Sequence, residues 1–317
     1  MDYNQKIKDL LLVTAKQNAS DLHLMVGHKP TLRIDGSLMP LQKEAVLNPE
    51  SAEGMILALM SDEAKARLKE RKNLDFYYNL EDKARFRINA YFQRGFIAAA
   101  LRLIPPRIKA IEELLLPPVL HTFTRLKQGL VFLVGPTGHG KSTTLAAMVD
   151  EINHKRADHI ITIEDPIEFF FVQDRCIISQ REIGSDVLSY ADGLKSILRQ
   201  DPNVVVVGDI RDLETLETVL TLAETGHLVF STLHTNSAAQ TIDRILNSYP
   251  ANQQNQISSQ LAASLSGIVS ERLIPRVSGG RMPACEVLIA NSAVKNLIRE
   301  GKSYQIDLVI ETSLQEG

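Results

Sequence analysis

A glycine-rich segment near the middle of the chain constrains the fold more than any other feature of the sequence. It runs through Gly135, Pro136, Thr137, Gly138, His139, Gly140, Lys141, Ser142 and Thr143. In the spacing G-x-x-x-x-G-K-S, backbone N–H groups surround phosphate oxygens, the lysine adds a positive charge and the serine offers a hydroxyl to Mg²⁺. The apolar run 130–134 predicts a buried parallel strand before the loop, and residues 142–153 predict a helix after it. The sequence therefore predicts a phosphate-binding loop, or P-loop, with a nucleoside triphosphate as its ligand.

Length and composition limit the alternatives. With 317 residues, the chain is long enough for two domains that each bury a core. Its formal net charge of −3 gives no support to a nucleic-acid binder held by a broad basic field. Residues 1–19 lack the apolar core of a signal peptide, no apolar stretch is long enough to span a bilayer, and the 2 cysteines suit a reducing compartment. We therefore expect a cytosolic protein that binds no nucleic acid and meets a membrane only through a partner.

The first third of the chain mixes helical and strand-like patterns. The predicted helices cover 3–17 and 51–69, and the predicted strands cover 21–26, 31–38 and 85–92. Asp35-Gly36 is typical of a hairpin turn. Helices and antiparallel strands segregated in this way predict a small α+β domain over residues 1–103.

A change of pattern follows this region. Paired prolines at 105–106 and 117–118 stop both helix and strand, so residues 104–118 are the predicted linker. Beyond it, apolar runs at 160–163, 204–207 and 228–230 join the P-loop strand. They predict an α/β domain over residues 119–317, with a mostly parallel sheet and the nucleotide at its carboxyl edge.

Acidic residues follow two of these strands. Glu164 comes directly after one apolar run, where a carboxylate can orient an attacking water or hold a metal through water. By itself, a solvated acidic turn is the simpler interpretation of that segment. Asp209 follows four valines, in the Walker B pattern that brings a carboxylate to Mg²⁺. Together with Ser142 of the P-loop, these residues predict an Mg²⁺-dependent ATPase.

Two histidines, His227 and His234, flank the last predicted strand. Their imidazole N–H groups could sense a phosphate or its departure. Their spacing differs from the i, i+4 pattern of zinc ligands on one helix face, and histidines so placed are more often structural.

Several motifs, taken in order, resemble one known family. The segments GPTGHGKST, ITIEDPIEF, VVVVGDIRD and GHLVFSTLHT are similar to the Walker A, Asp-box, Walker B and His-box signatures of the secretion ATPase superfamily. ASDLHL at 19–24 resembles the opening domain of that family, and AVKNLIRE at 293–300 resembles the AIRNLIRE motif of the PilT-like type IV pilus retraction ATPases. The resemblance covers essentially the whole chain.

This resemblance implies a homohexameric motor that uses ATP and Mg²⁺ to drive type IV pilus retraction, and so twitching motility. Each subunit would join a PAS-like N-terminal domain to a RecA-like P-loop ATPase core, with the nucleotide between them. The motor would work in the cytoplasm, at the inner-membrane base of the pilus machine, on a platform protein in that membrane. The implied roles are Glu164 as general base, Asp209 and Ser142 at Mg²⁺, His227 and His234 as reporters of the γ-phosphate, and Arg87 and Arg102 as arginines that reach the triphosphate.

The chain departs from the family pattern at a few positions. Asp209 stands where the family usually has Glu, and Lys295 replaces an Arg of the retraction motif. His139 replaces a common Ser, and because the P-loop acts through its backbone, we expect this side chain to point outward. The sequence ends at Gly317, earlier than in relatives, which favours a C-terminal domain that is truncated.

Other functions stay open at this point. A pilus-assembly or type II secretion ATPase usually carries an additional N-terminal domain and a tetracysteine zinc insertion, which 2 cysteines cannot build. The sequence does not exclude an accessory retraction ATPase of the same fold. A RecA-like nucleic-acid motor would need a basic or aromatic strand-binding loop, and the near-neutral charge argues against it. A nucleotide-binding regulator without turnover is the remaining alternative.

Overall fold

The computed structural model describes residues 2–81, 84–104, 107–277 and 279–313. The chain divides into two compact units, Met1–Arg107 and Ile108–Gly317. Pro105 and Pro106, the first proline pair of the predicted linker, lie outside the described residues. The rest of that linker differs from the prediction, because residues from 108 onward belong to the second unit and Ile111 and Leu116 are buried in its core.

The first unit contains an antiparallel sheet and three helices among its described residues. Its elements are α1 (Tyr3–Lys16), β1 (Asp21–Leu24), β2 (Thr31–Ile34), β3 (Ser37–Pro40), α2 (Pro49–Leu57), α3 (Asp62–Arg71), β4 (Asn73–Leu80), β5 (Ala84–Gln93) and β6 (Phe96–Ile104). The strand order is β3-β2-β1-β6-β5-β4. Apolar side chains of α1, α2 and the sheet form one core, which confirms the predicted α+β class.

Local chemistry explains two boundaries in this unit. Asp35 and Gly36 both have positive φ, +47° and +84°, so they form the two-residue hairpin turn that the sequence predicts between β2 and β3. The single helix predicted over 51–69 is wrong, since α2 ends at Leu57 and α3 begins at Asp62. The Ser61 side chain accepts a hydrogen bond from the backbone N–H of Ala64, and this cap starts a new helix instead of continuing the first.

The second unit alternates strands and helices. Its elements are α4 (Leu120–Thr124), β7 (Gly129–Val134), α5 (Lys141–Lys155), β8 (His159–Glu164), β9 (Ile177–Glu182), α6 (Tyr190–Ile197), β10 (Val204–Val207), α7 (Leu213–Glu224), β11 (Leu228–Leu233), α8 (Ala238–Asn247), α9 (Ala251–Ser264), β12 (Leu265–Pro275), β13 (Arg281–Ile289), α10 (Ser292–Arg299), a short 3₁₀ turn (Ser303–Gln305) and α11 (Ile306–Thr312).

The strands of this unit form one sheet in the order β13-β12-β7-β11-β10-β8-β9. Each neighbouring pair is parallel except β12 and β13. Every residue of β7, β10 and β11 is buried, because helices cover both faces of the sheet. One apolar cluster lies beneath α5 and another beneath α6 to α9. This arrangement confirms the predicted α/β class and sets the carboxyl ends of β7, β8, β10 and β11 along one edge.

Candidate active site

A cavity of about 320 Å³ opens at this carboxyl edge. The residues that line it come from the P-loop, α5, the ends of β8, β10 and β11, and the start of α6. Among the predicted site residues, the cavity is lined by Thr137, Gly138, Lys141, Ser142, Glu164, Asp209 and His234. Parallel strands carry the residues that follow them to the same edge, so sites far apart in sequence meet here.

The P-loop takes its shape from glycine. Gly135 and Gly140 have φ values of +145° and +102°, a region of backbone conformation that residues with a Cβ rarely adopt. A Cβ at Gly135 would overlap with the backbone oxygen of Glu271, and one at Gly140 would overlap with its carboxylate. Gly140 also precedes the first residue of α5 and has no side chain to cap it, so the first amides of the helix face the loop as an anion site.

Lys141 is held against the same loop. Its Nζ donates hydrogen bonds to the carbonyl oxygens of Gly135, at 2.7 Å, and Pro136, at 3.0 Å. Burial lowers the pKa of the Lys141 ammonium, and the carboxylates of Asp209 and Glu271 oppose that shift. A cation placed in this way at the N-terminus of α5 suits a phosphate ligand.

Glu164 ends β8 and lines the cavity. Its Oε1 accepts a hydrogen bond from the hydroxyl of Thr162 at 2.7 Å and one from the amide of Gln180 at 3.4 Å. Burial raises the pKa of Glu164 to about 7, and these two hydrogen bonds only partly oppose the shift. A carboxyl group with a pKa near neutrality is suited to accept a proton from water.

Asp209 follows β10, and its two carboxylate oxygens differ in their hydrogen bonds. Its Oδ2 accepts hydrogen bonds from Nε of Arg211, at 2.9 Å, and Nε2 of His234, at 3.1 Å. Its Oδ1 is buried and has no hydrogen-bond partner within the part of the chain that the structure describes. A buried oxygen without a partner is costly, and the Asp209 carboxylate and the Ser142 hydroxyl, which belong to residues that line the same cavity, are oxygen donors of the kind that Mg²⁺ prefers. The residues present therefore fit Mg²⁺.

The two predicted histidines lie at opposite ends of β11. His234 follows the strand and lines the cavity, whereas the backbone oxygen of His227 accepts from Gly129, the first residue of β7. At 3.3 Å per residue, the seven steps along the strand from His227 to His234 separate the two by roughly 23 Å. Nδ1 of His227 lies 3.0 Å from the carbonyl oxygen of Leu222, at the C-terminal end of α7. Within this unit, His234 lines the cavity and His227 does not, and the predicted roles of both histidines at the γ-phosphate stay predictions.

His139 does not point outward, contrary to expectation. Its Nδ1 accepts a hydrogen bond from the backbone N–H of Leu273 at 3.0 Å, and the side chain is partly buried. The imidazole therefore joins the P-loop to β12. Sequence reasoning missed this contact because β12 was not predicted.

The comparison with known proteins agrees with this geometry. A family model described as "Type II/IV secretion system protein" matches residues 3–307. The chain belongs to this family. The match extends over both units, as the resemblance predicted.

Particular members of the secretion system family are close relatives. The type IV pilus retractation ATPase PilT of Pseudomonas aeruginosa is 43% identical over 306 residues, which cover 96% of this chain and 89% of the relative. A twitching motility protein of Neisseria gonorrhoeae is 42% identical over 312 residues, with coverage of 98% and 83%. A crystal structure of the pilus retraction motor PilT with bound ADP has a TM-score of 0.92 and 45% identity, and covers 96% of this chain and 89% of that one. The predicted resemblance to PilT-like ATPases is confirmed.

The two predicted arginines belong to the first unit of this secretion system protein. Arg87 on β5 and Arg102 on β6 are directly opposite each other in the antiparallel register. Nη2 of Arg87 lies 3.6 Å from Oδ1 of Asp75, and Nε of Arg102 lies 3.0 Å from Oδ1 of Asp21. Both guanidinium groups thus share one face of the sheet and remain partly exposed. Their reach toward a triphosphate stays a prediction.

Three residues near the P-loop or the cavity escaped sequence reasoning. Arg211 bridges Asp209 and Asp165, and Tyr190 begins α6 with its hydroxyl against Gly208. Burial raises the pKa of the Tyr190 phenol, so it stays neutral. Glu271 lies under the P-loop, and because its neighbours Ser270 and Arg272 are also polar, no local signal in the sequence marked it as a buried residue.

No helix among the described residues is both long enough and apolar enough to cross a membrane.

Proposed function

We propose that this chain is an Mg²⁺-dependent ATPase that drives the retraction of type IV pili. The main support for the proposal is one cavity that is lined by Lys141 of the P-loop, Glu164 and Asp209. One oxygen of the Asp209 carboxylate is buried there without a hydrogen-bond partner among the described residues. The similarity to the PilT relatives supports the motor assignment, since two of them are described as a pilus retractation ATPase and a pilus retraction motor.

The residues divide the chemistry between them. The P-loop amides and the Lys141 ammonium bind the phosphates and hold the γ-phosphate in place. Ser142 and Asp209 would hold Mg²⁺, which supplies neutralisation of the charge that develops on the phosphate oxygens. Glu164 orients the attacking water and accepts its proton. His234 and Arg211 keep the Asp209 carboxylate in one orientation through their hydrogen bonds to Oδ2.

The proposal extends to the assembly. A PAS-like domain in the first unit, Met1–Arg107, and a RecA-like domain in the second unit, Ile108–Gly317, would assemble as a homohexamer, with Arg87 and Arg102 directed at the triphosphate. The ring would act in the cytoplasm on an inner-membrane platform protein of the pilus machine, without nucleic acid. Guanidinium groups suit this task because their fixed fork of donors matches phosphate oxygens.

Two variants test the chemistry in purified protein. Lys141→Ala should lose ADP and ATP binding, while Glu164→Gln should bind both nucleotides and release almost no phosphate. Glu168→Gln is the matched control, because Glu168 lines the same cavity and has no assigned role. Full hydrolysis by Glu164→Gln would remove Glu164 from the role of base, and unchanged nucleotide binding by Lys141→Ala would refute the site.

A cell-based experiment tests the motor. The chain is produced in a retraction-deficient strain, and pilus retraction and twitching are recorded beside the Lys141→Ala variant. Restored retraction by the unmodified chain alone is the expected result. Active ATPase without restored retraction would favour pilus assembly or secretion, and stimulation of hydrolysis by single-stranded DNA would favour a nucleic-acid motor.

A further inference from the structure

A buried carboxyl group lies behind the P-loop, on a strand that contributes no predicted phosphate ligand. Glu271 belongs to β12, and 2% of its surface is exposed. Val269, two residues earlier, and Val287, its partner on β13, pack in the apolar cluster beneath α5. Because side chains alternate along a strand, Glu271 points to the same face and ends that apolar row at the P-loop.

The P-loop wraps closely around this residue. The hydroxyl of Thr144 on α5 donates a hydrogen bond of 2.7 Å to Oε2 of Glu271. The other oxygen, Oε1, occupies the space that a Cβ at Gly140 would take, and the backbone oxygen of Glu271 does the same at Gly135. A change in the charge or position of the Glu271 carboxyl group therefore acts directly on the backbone that would surround a phosphate.

The groups around Glu271 stabilise its negative charge only in part, because their effect is smaller than that of burial. Lys141 approaches from α5 and Cys285 lies opposite on β13, while His139 of the loop accepts from the backbone N–H of Leu273, two residues further along β12. Burial raises the pKa of the Cys285 thiol to about 12, so it stays neutral. Burial also raises the pKa of Glu271 to about 7, against the smaller lowering effects of the Thr144 hydrogen bond and the Lys141 charge.

We propose that Glu271 is a positioning residue that couples phosphate binding at the P-loop to protonation of its own carboxyl group. The inference rests on the proposed nucleotide site. A bound phosphate brings negative charge to one side of the Gly140 backbone, and Oε1 of Glu271 lies on the other side. Like charges this close in partly desolvated surroundings disfavour each other's ionised form. Nucleotide binding therefore takes up a proton from solvent whenever Glu271 starts ionised.

A proton count by calorimetry tests this coupling. ADP is titrated into the protein with Mg²⁺ at pH 7, in buffers that differ in ionisation enthalpy, and the slope of the observed enthalpy gives the protons taken up. A group with a pKa about 7 is half ionised at that pH. The wild-type protein should therefore take up about half a proton more than Glu271→Gln, and its ADP dissociation constant should rise about tenfold more between pH 6 and pH 8.

The comparison between variants isolates Glu271. The titrations of ADP and of Glu164 are common to both proteins and cancel in the difference. Glu286→Gln is a matched control, because Glu286 pairs with Ser270 and so points to the opposite face of the sheet. It should give the wild-type proton count.

A second variant keeps the test decisive if Glu271→Gln does not fold. Thr144→Val removes the hydroxyl that lowers the pKa of Glu271, so the pH of maximal proton uptake should move upward. Equal proton counts in the wild type and Glu271→Gln, with ADP bound by both, would overturn the coupling and leave the nucleotide site standing. Failure of the wild-type protein to bind ADP would overturn the proposed function and this inference together.

Discussion

Nε2 of His234 lies 3.1 Å from Oδ2 of Asp209, although 25 positions separate the two residues. They meet because β10 and β11 are parallel neighbours and each residue follows the carboxyl end of its strand. With Arg211 also donating to Oδ2, the carboxylate is held so that its buried Oδ1 is left for another ligand.

We expect His234→Ala to loosen this carboxylate. The Mg²⁺ concentration for half-maximal ATPase activity should rise and the turnover number should fall, each by about tenfold, as when other residues that orient metal ligands are removed. His227→Ala is the informative comparison, because His227 lies at the far end of β11 and should leave the Mg²⁺ dependence unchanged. Mg²⁺ titrations of the steady-state rate measure both, and a wild-type Mg²⁺ profile for His234→Ala would contradict the assignment.

Glu164 should set the pH dependence of hydrolysis. Burial raises its pKa to about 7, so below that pH the group is protonated and cannot accept a proton from water. At saturating ATP, the value of kcat should therefore rise with pH and level off above about 7. Glu164→Gln should lower kcat by about 10²- to 10⁴-fold and abolish this rise. A pH-independent rate in the wild-type protein would exclude Glu164 as the base.

His139 should stabilise the P-loop through Leu273. His139→Ala leaves the Leu273 N–H without its partner, and we expect the free energy of unfolding to fall by about 1 kcal/mol. His139→Asn keeps an acceptor near the position of Nδ1 and should recover part of the loss. Urea unfolding of the three proteins measures the effect. Equal losses for Ala and Asn would show that the hydrogen bond is not the cause.

Glu271 should make the stability of the protein depend on pH. Its pKa is about 7 in the folded protein, against 4.5 for an ordinary exposed glutamate, so the folded state binds more protons between these two pH values. Its contribution to the free energy of unfolding is therefore full below pH 4.5 and is lost as the pH rises to about 7. Glu271→Gln should gain on the order of 2–3 kcal/mol over the wild type on going from pH 5 to pH 8. Denaturant unfolding at the two pH values provides the measurement, and a constant difference would refute the expectation.

Much of the second unit could be predicted because its signals are local. The apolar run before the P-loop and the apolar spacing after it predicted a strand and a helix that the structure places at Gly129–Val134 and Lys141–Lys155. Glu164 and Asp209 could be placed in one site for a simple reason. Each directly follows a buried run, and the ends of parallel strands share an edge.

The errors in the predicted helix and linker bounds arose where one local sequence pattern is compatible with two different structures. Residues 51–69 keep helical spacing across the break, and the Ser61 cap decides that two helices form. The linker prediction placed 108–118 outside both domains because of its proline pairs, yet Ile111 and Leu116 are buried in the second core. A proline pair ends a helix or strand, but the side chains next to it can still pack into a core.

The residues from 129 to 155 by themselves determine the P-loop spacing and the strand and helix that flank it. That is enough to predict a nucleotide site, because the phosphate-binding groups come from one continuous stretch of backbone. The contacts that complete the site join residues far apart in sequence, such as Thr144 and Glu271 at a separation of 127 positions. They exist because β12 packs beside β7 in the sheet, an order that long-range packing selects and local patterns do not encode. For the same reason, only the folded sheet shows that His234 reaches the cavity, that His227 does not, and that His139 turns inward.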